Sequence, residues 1–166
     1  MKMATVRELK QELASKTEKE LLEICLTLSK FKKENKELLT YLLYEQQNED
    51  EYIDSIKEEM KEEFHELSAK TTYWTNKSVR KILRTIKKFI RYSKKTETEI
   101  ELLLFFSQEL KEVIDRNYHS KVLENILEKQ LLFIGKKIEK IHEDLQYDYN
   151  AILNNLQYIP IQQIIN

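Results

Sequence analysis

The chain has one glycine and one proline among its 166 residues, which leaves little material for tight turns. Sheets of many strands depend on these residues, because glycine tolerates the positive φ of hairpin turns and proline fixes φ at turn positions. The rest of the composition is rich in Leu, Lys and Glu, which have high helix propensity. The sequence therefore predicts an all-α fold, and its length is near that of one domain with a single core.

Helix starts are marked by capping boxes, in which a Thr side chain accepts from a backbone N–H and a Glu three residues later reaches back. Three such pairs occur: Thr5 with Glu8, Thr17 with Glu20, and Thr96 with Glu99. Together with apolar residues at three- and four-residue steps, they predict helices over residues 6–14, 18–31, 35–46, 50–67, 73–94, 97–116, 120–145 and 147–156. The expected architecture is seven or eight antiparallel helices in a bundle or short superhelical stack.

The segment 102–106 (LLLFF) is apolar on every face of a helix, which is typical of a helix enclosed by others. We therefore expect it at the centre of the core. Gly135, inside the predicted helix 120–145, indicates a close approach of another segment or a glycine that the helix tolerates. The positions expected to be buried are Leu103, Leu104, Phe106, Ile86 and Leu42.

The sequence also echoes itself at an offset of 62 residues. The aligned pairs include Leu28 with Ile90, Leu42 with Leu104, and Tyr44 with Phe106. This echo predicts a helical-repeat architecture in which similar units stack on one another. Chance similarity between Leu- and Lys-rich helices is the alternative, and two units are fewer than the three or more expected of a stable solenoid.

Charge is divided abruptly along the chain. Residues 67–96 contain ten Lys or Arg and no Asp or Glu, whereas the whole protein has a net charge of −1. The segment 45–66, directly upstream, holds ten acidic residues against Lys57 and Lys61. An acidic helix is thus followed by a basic one. The function depends on whether these two helices neutralise each other or the basic helix meets an external polyanion.

The predicted helix 73–94 is amphipathic, and its polar face carries one sign of charge. Like charges three or four residues apart repel by about 0.2–0.5 kcal/mol per pair, so a compensating charge is expected. The acidic helix, a nucleic acid, an acidic protein partner and an anionic membrane surface are the alternatives. The candidate residues for binding a polyanion or partner are Lys77, Arg80, Lys81, Arg84, Lys87, Lys88, Arg91 and Lys95.

Geometry limits how far the acidic helix can compensate, because both helices turn their apolar stripes toward the core. The cations on the flanks of the basic face can reach a neighbour. The outermost row, which faces solvent or a ligand, is expected to be Lys77, Arg84, Arg91 and Lys95. Three aromatic residues are placed to stack on bases: Tyr73 and Trp74 at the start of this helix, and Tyr92 on its flank. For the two at the helix start, the alternative is a packed lid on the core.

Catalytic and metal-binding patterns are weak. Glu62 with His65 and Glu139 with His142 have the Glu-x-x-His spacing of di-iron bundles, but both glutamates point away from the apolar arcs of their helices, so we expect no metal site. Cys25 lies in an apolar stretch and is expected to be a core thiol. A single glycine excludes the usual phosphate-binding loops. The sequence therefore predicts neither an enzyme nor a cofactor.

The N-terminal stretch has Val6-x-x-Leu9, Leu13 and the run 31–44 (FKKENKELLTYLLY). It resembles a group of short uncharacterised bacterial helical proteins over about the first 45 residues. The resemblance implies a helical fold and brings no activity with it.

The expected organisation is one helical domain over residues 1–157 and an apolar tail over 158–166. The tail is expected to dock on its own helices or on a second copy, so self-association through 158–165 is one prediction.

No apolar run reaches the roughly 20 residues of a membrane span, and no signal core follows Met1. With one cysteine, these features predict a reduced, cytoplasmic protein. We expect a non-enzymatic binding or adaptor protein with a protein partner; the alternative is a nucleic-acid-associated protein that uses the basic helix 77–95.

Overall fold

The computed structural model describes residues 2–69, 71–116 and 120–157. Within these ranges all regular structure is helical, and the prediction of an all-α fold with eight α-helices is confirmed. The α-helices are α1 (Val6–Ala14), α2 (Glu18–Phe31), α3 (Lys33–Thr40), α4 (Glu49–His65), α5 (Thr72–Ser93), α6 (Thr96–Asp115), α7 (Lys121–Ile138) and α8 (Glu143–Gln157). A π-helical turn covers Tyr41–Glu45, and a 3-10 turn covers Glu66–Ala69.

The chain divides into two compact units, residues 1–45 and 46–166. The expectation of one domain over residues 1–157 stays a prediction. The apolar tail, with its expected self-association through 158–165, lies outside the described residues. No helix in the described part of the chain combines the length and the apolar character needed to span a membrane.

The first unit begins with two helices whose predicted boundaries are confirmed at both ends. Thr5 and Thr17 each accept a hydrogen bond from the third residue of the helix, and the glutamate at that position accepts from the threonine backbone N–H. These hydrogen bonds from Thr5 and Thr17 hold the pKa values of Glu8 and Glu20 below their ordinary range. Local sequence alone therefore determines where α1 and α2 start.

Apolar side chains in the first unit are largely exposed. Tyr41 is the one buried residue between positions 2 and 45. The prediction that Leu42 is buried is wrong, because the helical periodicity changes at the π turn and Leu42 is 48 % exposed. Cys25 is also exposed, so the expectation of a core thiol is wrong as well. An apolar neighbourhood in the sequence of α2 does not produce a buried face in the fold.

The second unit is built around α6, which packs against α4, α5, α7 and α8. Leu103, Leu104 and Phe106 are buried as predicted, and so is Ile86 of α5. The ring of Phe106 lies 5.6 Å from that of Phe64 on α4, measured between centroids. Four neighbours leave this helix almost no face in water, which explains its apolar character on all sides.

Two predictions about helix ends in the second unit are wrong. Thr96 does not cap α6, because the helix already begins at Thr96 and Lys95 occupies the N-cap position. Glu99, the partner in the predicted capping box, forms an ion pair with Lys137 of α7. The predicted helix 120–145 is two helices, since α7 ends at Ile138 and the chain turns before α8. The turn lets α8 pack back on α6 and α7, and it leaves Leu145 40 % exposed.

Helices α4 and α5 are antiparallel neighbours. The hydroxyl of Tyr52 donates to the backbone carbonyl oxygen of Phe89 over 3.0 Å. Near the start of α4, the carboxylate of Glu49 accepts hydrogen bonds from the hydroxyls of Ser93 and Thr98 and so ties α4 to the corner between α5 and α6. At this corner Lys94 has φ 60°, a left-handed conformation that glycine adopts more easily.

Positions aligned by the 62-residue echo do not share the same burial. Leu42 is 48 % exposed, whereas its counterpart Leu104 is 3 % exposed. Tyr44 is also exposed, while Phe106 is buried. The aligned residues therefore differ in burial between the two units, and the repeat architecture stays a prediction.

Candidate polyanion-binding groove

The basic helix is α5, which carries seven Lys or Arg and no acidic residue in its 22 residues. Its apolar face is buried, with Val79, Ile82 and Ile86 at most 2 % exposed. Burial of this face fixes the rotation of the helix, so that its cations point away from the core. The polar face then has two edges, one toward α4 and one toward α7.

The edge toward α4 is neutralised by the acidic helix. The ammonium group of Lys81 lies 3.4 Å from the carboxylate of Glu63. Just beyond the end of α5, the ammonium group of Lys95 lies 2.9 Å from the carboxylate of Glu49. We call this side the paired edge.

The side facing outward and toward α7 carries Arg80, Arg84, Lys87 and Arg91, which we call the open edge. None of these four side chains forms an ion pair with any residue that the structure describes. The residues outside the description contain no Asp or Glu. The open edge extends over twelve residues of helix, or about 16 Å from Arg80 to Arg91.

An open groove of about 580 Å³ runs along this edge. Its apolar part is formed by Leu83 and Ile90 of α5 and Phe133 of α7. Glu99 of α6 contributes the one carboxylate among the lining residues, and the ion pair with Lys137 already neutralises it. The groove therefore combines apolar surface with five cations, and the four of the open edge have no ion pair among the residues that the structure describes.

Two aromatic side chains stand at the start of α5. Tyr73 is 69 % exposed and Trp74 is 52 % exposed, and their rings meet edge to face with centroids 5.5 Å apart. The ammonium group of Lys77 lies 4.9 Å from the centre of the Trp74 ring. At helical spacing, Tyr73 lies on the same face as Lys77 and Arg80, so the aromatic pair continues the open edge toward the N-terminus of α5.

The structure divides the residues predicted as a binding site among the groove, the aromatic pair and the paired edge. Arg80, Arg84, Lys87, Lys88 and Arg91 line the groove. Lys77 is exposed beside Trp74, while Lys81 belongs to the paired edge.

Two of the sequence predictions about this face are wrong. Lys95 is not part of the outermost row, because the turn at Lys94 directs it toward Glu49. Tyr92 does not flank the cations as a stacking residue, because it is buried with its ring edge to face against Phe89.

Sequence reasoning missed the part of the groove that α7 contributes. Phe133 is 38 % exposed and lies one residue before the buried Ile134. The available signal was a large aromatic residue outside the apolar arc of its helix. Nothing in the sequence, however, places that aromatic residue beside α5, because the contact depends on how α5 and α7 pack around α6.

The two Glu-x-x-His pairs have solvent-facing side chains. Glu62, His65, Glu139 and His142 are all exposed. Across the described ranges, no three His, Cys, Asp or Glu side chains are grouped so that they could hold a metal ion.

Comparisons with known proteins return no relative that could assign a role to this groove: no family model, no curated protein and no solved structure matches the chain.

Proposed function

We propose that this protein is a non-enzymatic binding protein whose ligand is a phosphate-bearing polyanion held along the open edge of α5. A single observation carries the proposal: the acidic helix α4 neutralises one edge of the basic face, and the opposite edge keeps four cations without an acidic partner among the described residues. Nucleic acid is the phosphate-bearing polymer that this arrangement favours.

The residue types of the two edges support this proposal. The paired edge holds lysines, namely Lys81 and Lys95. Three of the four cations on the open edge are arginines, whose planar guanidinium groups bind phosphate oxygens through two parallel hydrogen bonds. Neighbours three or four residues apart on this edge repel one another by about 0.2–0.5 kcal/mol per pair, and a bound polyanion would reverse that repulsion.

A membrane surface is a poorer ligand for the same helix. Amphipathic helices that bind membranes bury their apolar face among the lipid chains. The apolar face of α5 is already buried in the core at Val79, Ile82 and Ile86. Only its charged face is accessible, which suits a polymer of phosphates better than a lipid bilayer.

The proposal is tested by the salt dependence of binding, measured by fluorescence anisotropy with labelled oligonucleotides and with heparin as competitor. If the four open-edge cations neutralise four phosphates of a single strand, log K should fall against log[salt] with a slope of about −3. The double variant Arg84→Gln/Arg91→Gln should lose about half of that slope. A control variant, Lys10→Gln/Lys19→Gln, removes the same charge from exposed positions of the first unit and should bind like the unaltered protein.

The measurement has two results that contradict the proposal. One is the absence of binding to any phosphate polymer or to heparin at low salt. The other is an equal loss of affinity in the open-edge and control variants, which would show that net charge alone governs binding. Binding of an acidic peptide in preference to every phosphate polymer would replace the proposed ligand by an acidic protein partner.

A second candidate function is protein binding through the first unit, with a second copy of the chain as the partner. Segments of about 45 residues rarely bury enough surface to be stable alone and often associate. This unit exposes five leucines on α1 and α2, namely Leu9, Leu13, Leu22, Leu26 and Leu28. Sedimentation equilibrium should show a dimer that Leu22→Gln/Leu26→Gln converts to a monomer. A monomer at all concentrations contradicts this candidate.

A further inference from the structure

We infer that the ligand of the groove is a single-stranded nucleic acid, with its phosphates along the open edge and its bases on the aromatic pair at the start of α5. This inference rests on the proposed function and specifies its ligand. It follows from three features of the second unit: exposed aromatic rings in line with the cations, an apolar part of the groove, and neighbouring helices on both edges of α5.

The exposed rings favour unpaired bases. Tyr73 and Trp74 are large apolar side chains whose rings remain in water to 69 % and 52 %. Base–aromatic stacking adds sequence-independent affinity for single strands to that of the phosphate contacts, and only unpaired bases offer a free face for it. Tyr73 lies seven residues, or two helical turns, before Arg80, so one strand can contact the aromatic pair and the open edge together.

The apolar surface of the groove supports the same choice. Phe133, Leu83 and Ile90 provide apolar contact area between the cations. The outer surface of a duplex is a sugar-phosphate backbone, which gains little from such a surface. A single strand can turn its phosphates toward the arginines and its bases toward the apolar side chains.

The neighbours of α5 disfavour duplex recognition by this helix. A major groove is about 12 Å wide and admits one helix of about 10–12 Å diameter. Here α4 lies along one edge of α5, where Glu63 reaches Lys81. On the other edge α7 contributes Phe133 to the groove. With a helix on both sides, α5 cannot enter a major groove, whereas a single strand can follow its exposed face.

The test compares ligands of about 12 nucleotides, within the usual range of single-strand site sizes. Labelled oligo(dT), oligo(rU), the dT·dA duplex and heparin are titrated against the full chain by anisotropy. Trp74 is the one tryptophan of the protein, so its intrinsic emission reports stacking at the proposed place. The RNA and DNA strands show whether the 2′-hydroxyl contributes.

We expect single strands to bind about tenfold more tightly than the duplex and to quench the Trp74 emission. Tyr73→Ala should weaken single-strand binding about tenfold and leave heparin binding unchanged, because heparin has no bases. Tyr73→Phe keeps the ring and should restore the affinity. Tyr147→Ala, which removes an exposed tyrosine of α8, is the matched control and should have no effect.

Two results overturn the inference while the proposed function stands. One is a duplex or heparin affinity equal to that of single strands. The other is an unchanged single-strand affinity in Tyr73→Ala. In both cases binding remains sensitive to Arg84→Gln/Arg91→Gln. Absence of binding to all four probes overturns the proposed function and the inference with it. Far-UV circular dichroism of each variant distinguishes a lost contact from a lost fold.

Discussion

Replacing Gly135 by alanine is expected to raise the free energy of unfolding of the second unit by about 1 kcal/mol. Gly135 lies inside α7 and its φ is not positive, so the backbone gains nothing from glycine. In a helix interior glycine costs about 0.5–1 kcal/mol relative to alanine, mainly through the greater conformational entropy of the unfolded chain.

Packing decides whether this gain is realised. A Cβ atom at Gly135 would lie 3.6 Å from Cδ2 of Leu153 on α8, an ordinary van der Waals contact, and among the described residues no other side chain or neighbouring element comes within 4 Å of it. The added methyl group therefore meets the next helix without displacing it. The contact should add a few tenths of a kcal/mol of dispersion and apolar burial.

Urea unfolding followed by circular dichroism and by Trp74 emission measures the change, with an unchanged slope against denaturant as the check on two-state behaviour. Asn125→Ala, at an exposed position of the same helix, is the control for helix propensity without packing. Its gain should be smaller, at about 0.5 kcal/mol. Gly135→Val adds two methyl groups beyond the Cβ atom and is β-branched, so it should lose the gain.

Lower stability of Gly135→Ala than of the unaltered protein would refute this reasoning, because it would mean that α8 lies closer to α7 than a 3.6 Å contact allows. A double-mutant cycle with Leu153→Ala isolates the packing contribution. The expected coupling energy is small and favourable. A coupling energy of zero would assign the entire gain to helix propensity.

Three further substitutions test the core, the corner between α5 and α6, and a helix cap. Phe106→Ala should lower the free energy of unfolding by about 3–5 kcal/mol, whereas Leu42→Ala should change it by less than about 0.5 kcal/mol; equal losses in urea unfolding would contradict the assigned burial. Glu49→Gln weakens an acceptor of two hydroxyl groups and should cost about 1–3 kcal/mol, and an unchanged unfolding midpoint would refute its role. Hydrogen bonds from Thr17 lower the pKa of Glu20, so the cap stabilises α2 above the ordinary carboxyl pKa and loses its effect as pH falls through the lowered value. An NMR titration of Glu20 should show its pKa move only part of the way back to the ordinary value in Thr17→Ala, because the backbone N–H of residue 17, the larger cause of the lowering, remains.

Features determined by neighbours in sequence could be predicted for this protein. The starts of α1 and α2 follow from capping boxes whose partners are three residues apart, and the structure contains both. The central position of α6 follows from the all-round apolar segment 102–106. The same local rule failed at Thr96, where α6 begins one residue earlier than predicted. Glu99 there forms an ion pair with Lys137, 38 residues away.

The candidate site depends even more on contacts between residues that are distant in sequence, which local rules do not predict. The sequence places eight cations on one face of a helix but does not determine which of them meet an acid. That choice depends on how α4 packs along α5, and it leaves the arginines on the open side. Phe133 enters the groove only because α7 packs beside α5. Contacts between helices distant in sequence carry no local signature, so these parts of the site needed the structure.

At the left-handed turn at Lys94, the residue that is best for stability differs from the residue that supplies positive charge. A residue with a side chain is disfavoured in this conformation by roughly 1 kcal/mol relative to glycine. Glycine would therefore ease the corner between α5 and α6, but it would remove one positive charge beside the basic face. Selection for thermal stability alone should favour glycine at this position, whereas selection for binding a polyanion should retain lysine. The residue selected at position 94 in laboratory evolution would thus show which property limits the protein: glycine indicates stability, and lysine indicates polyanion binding.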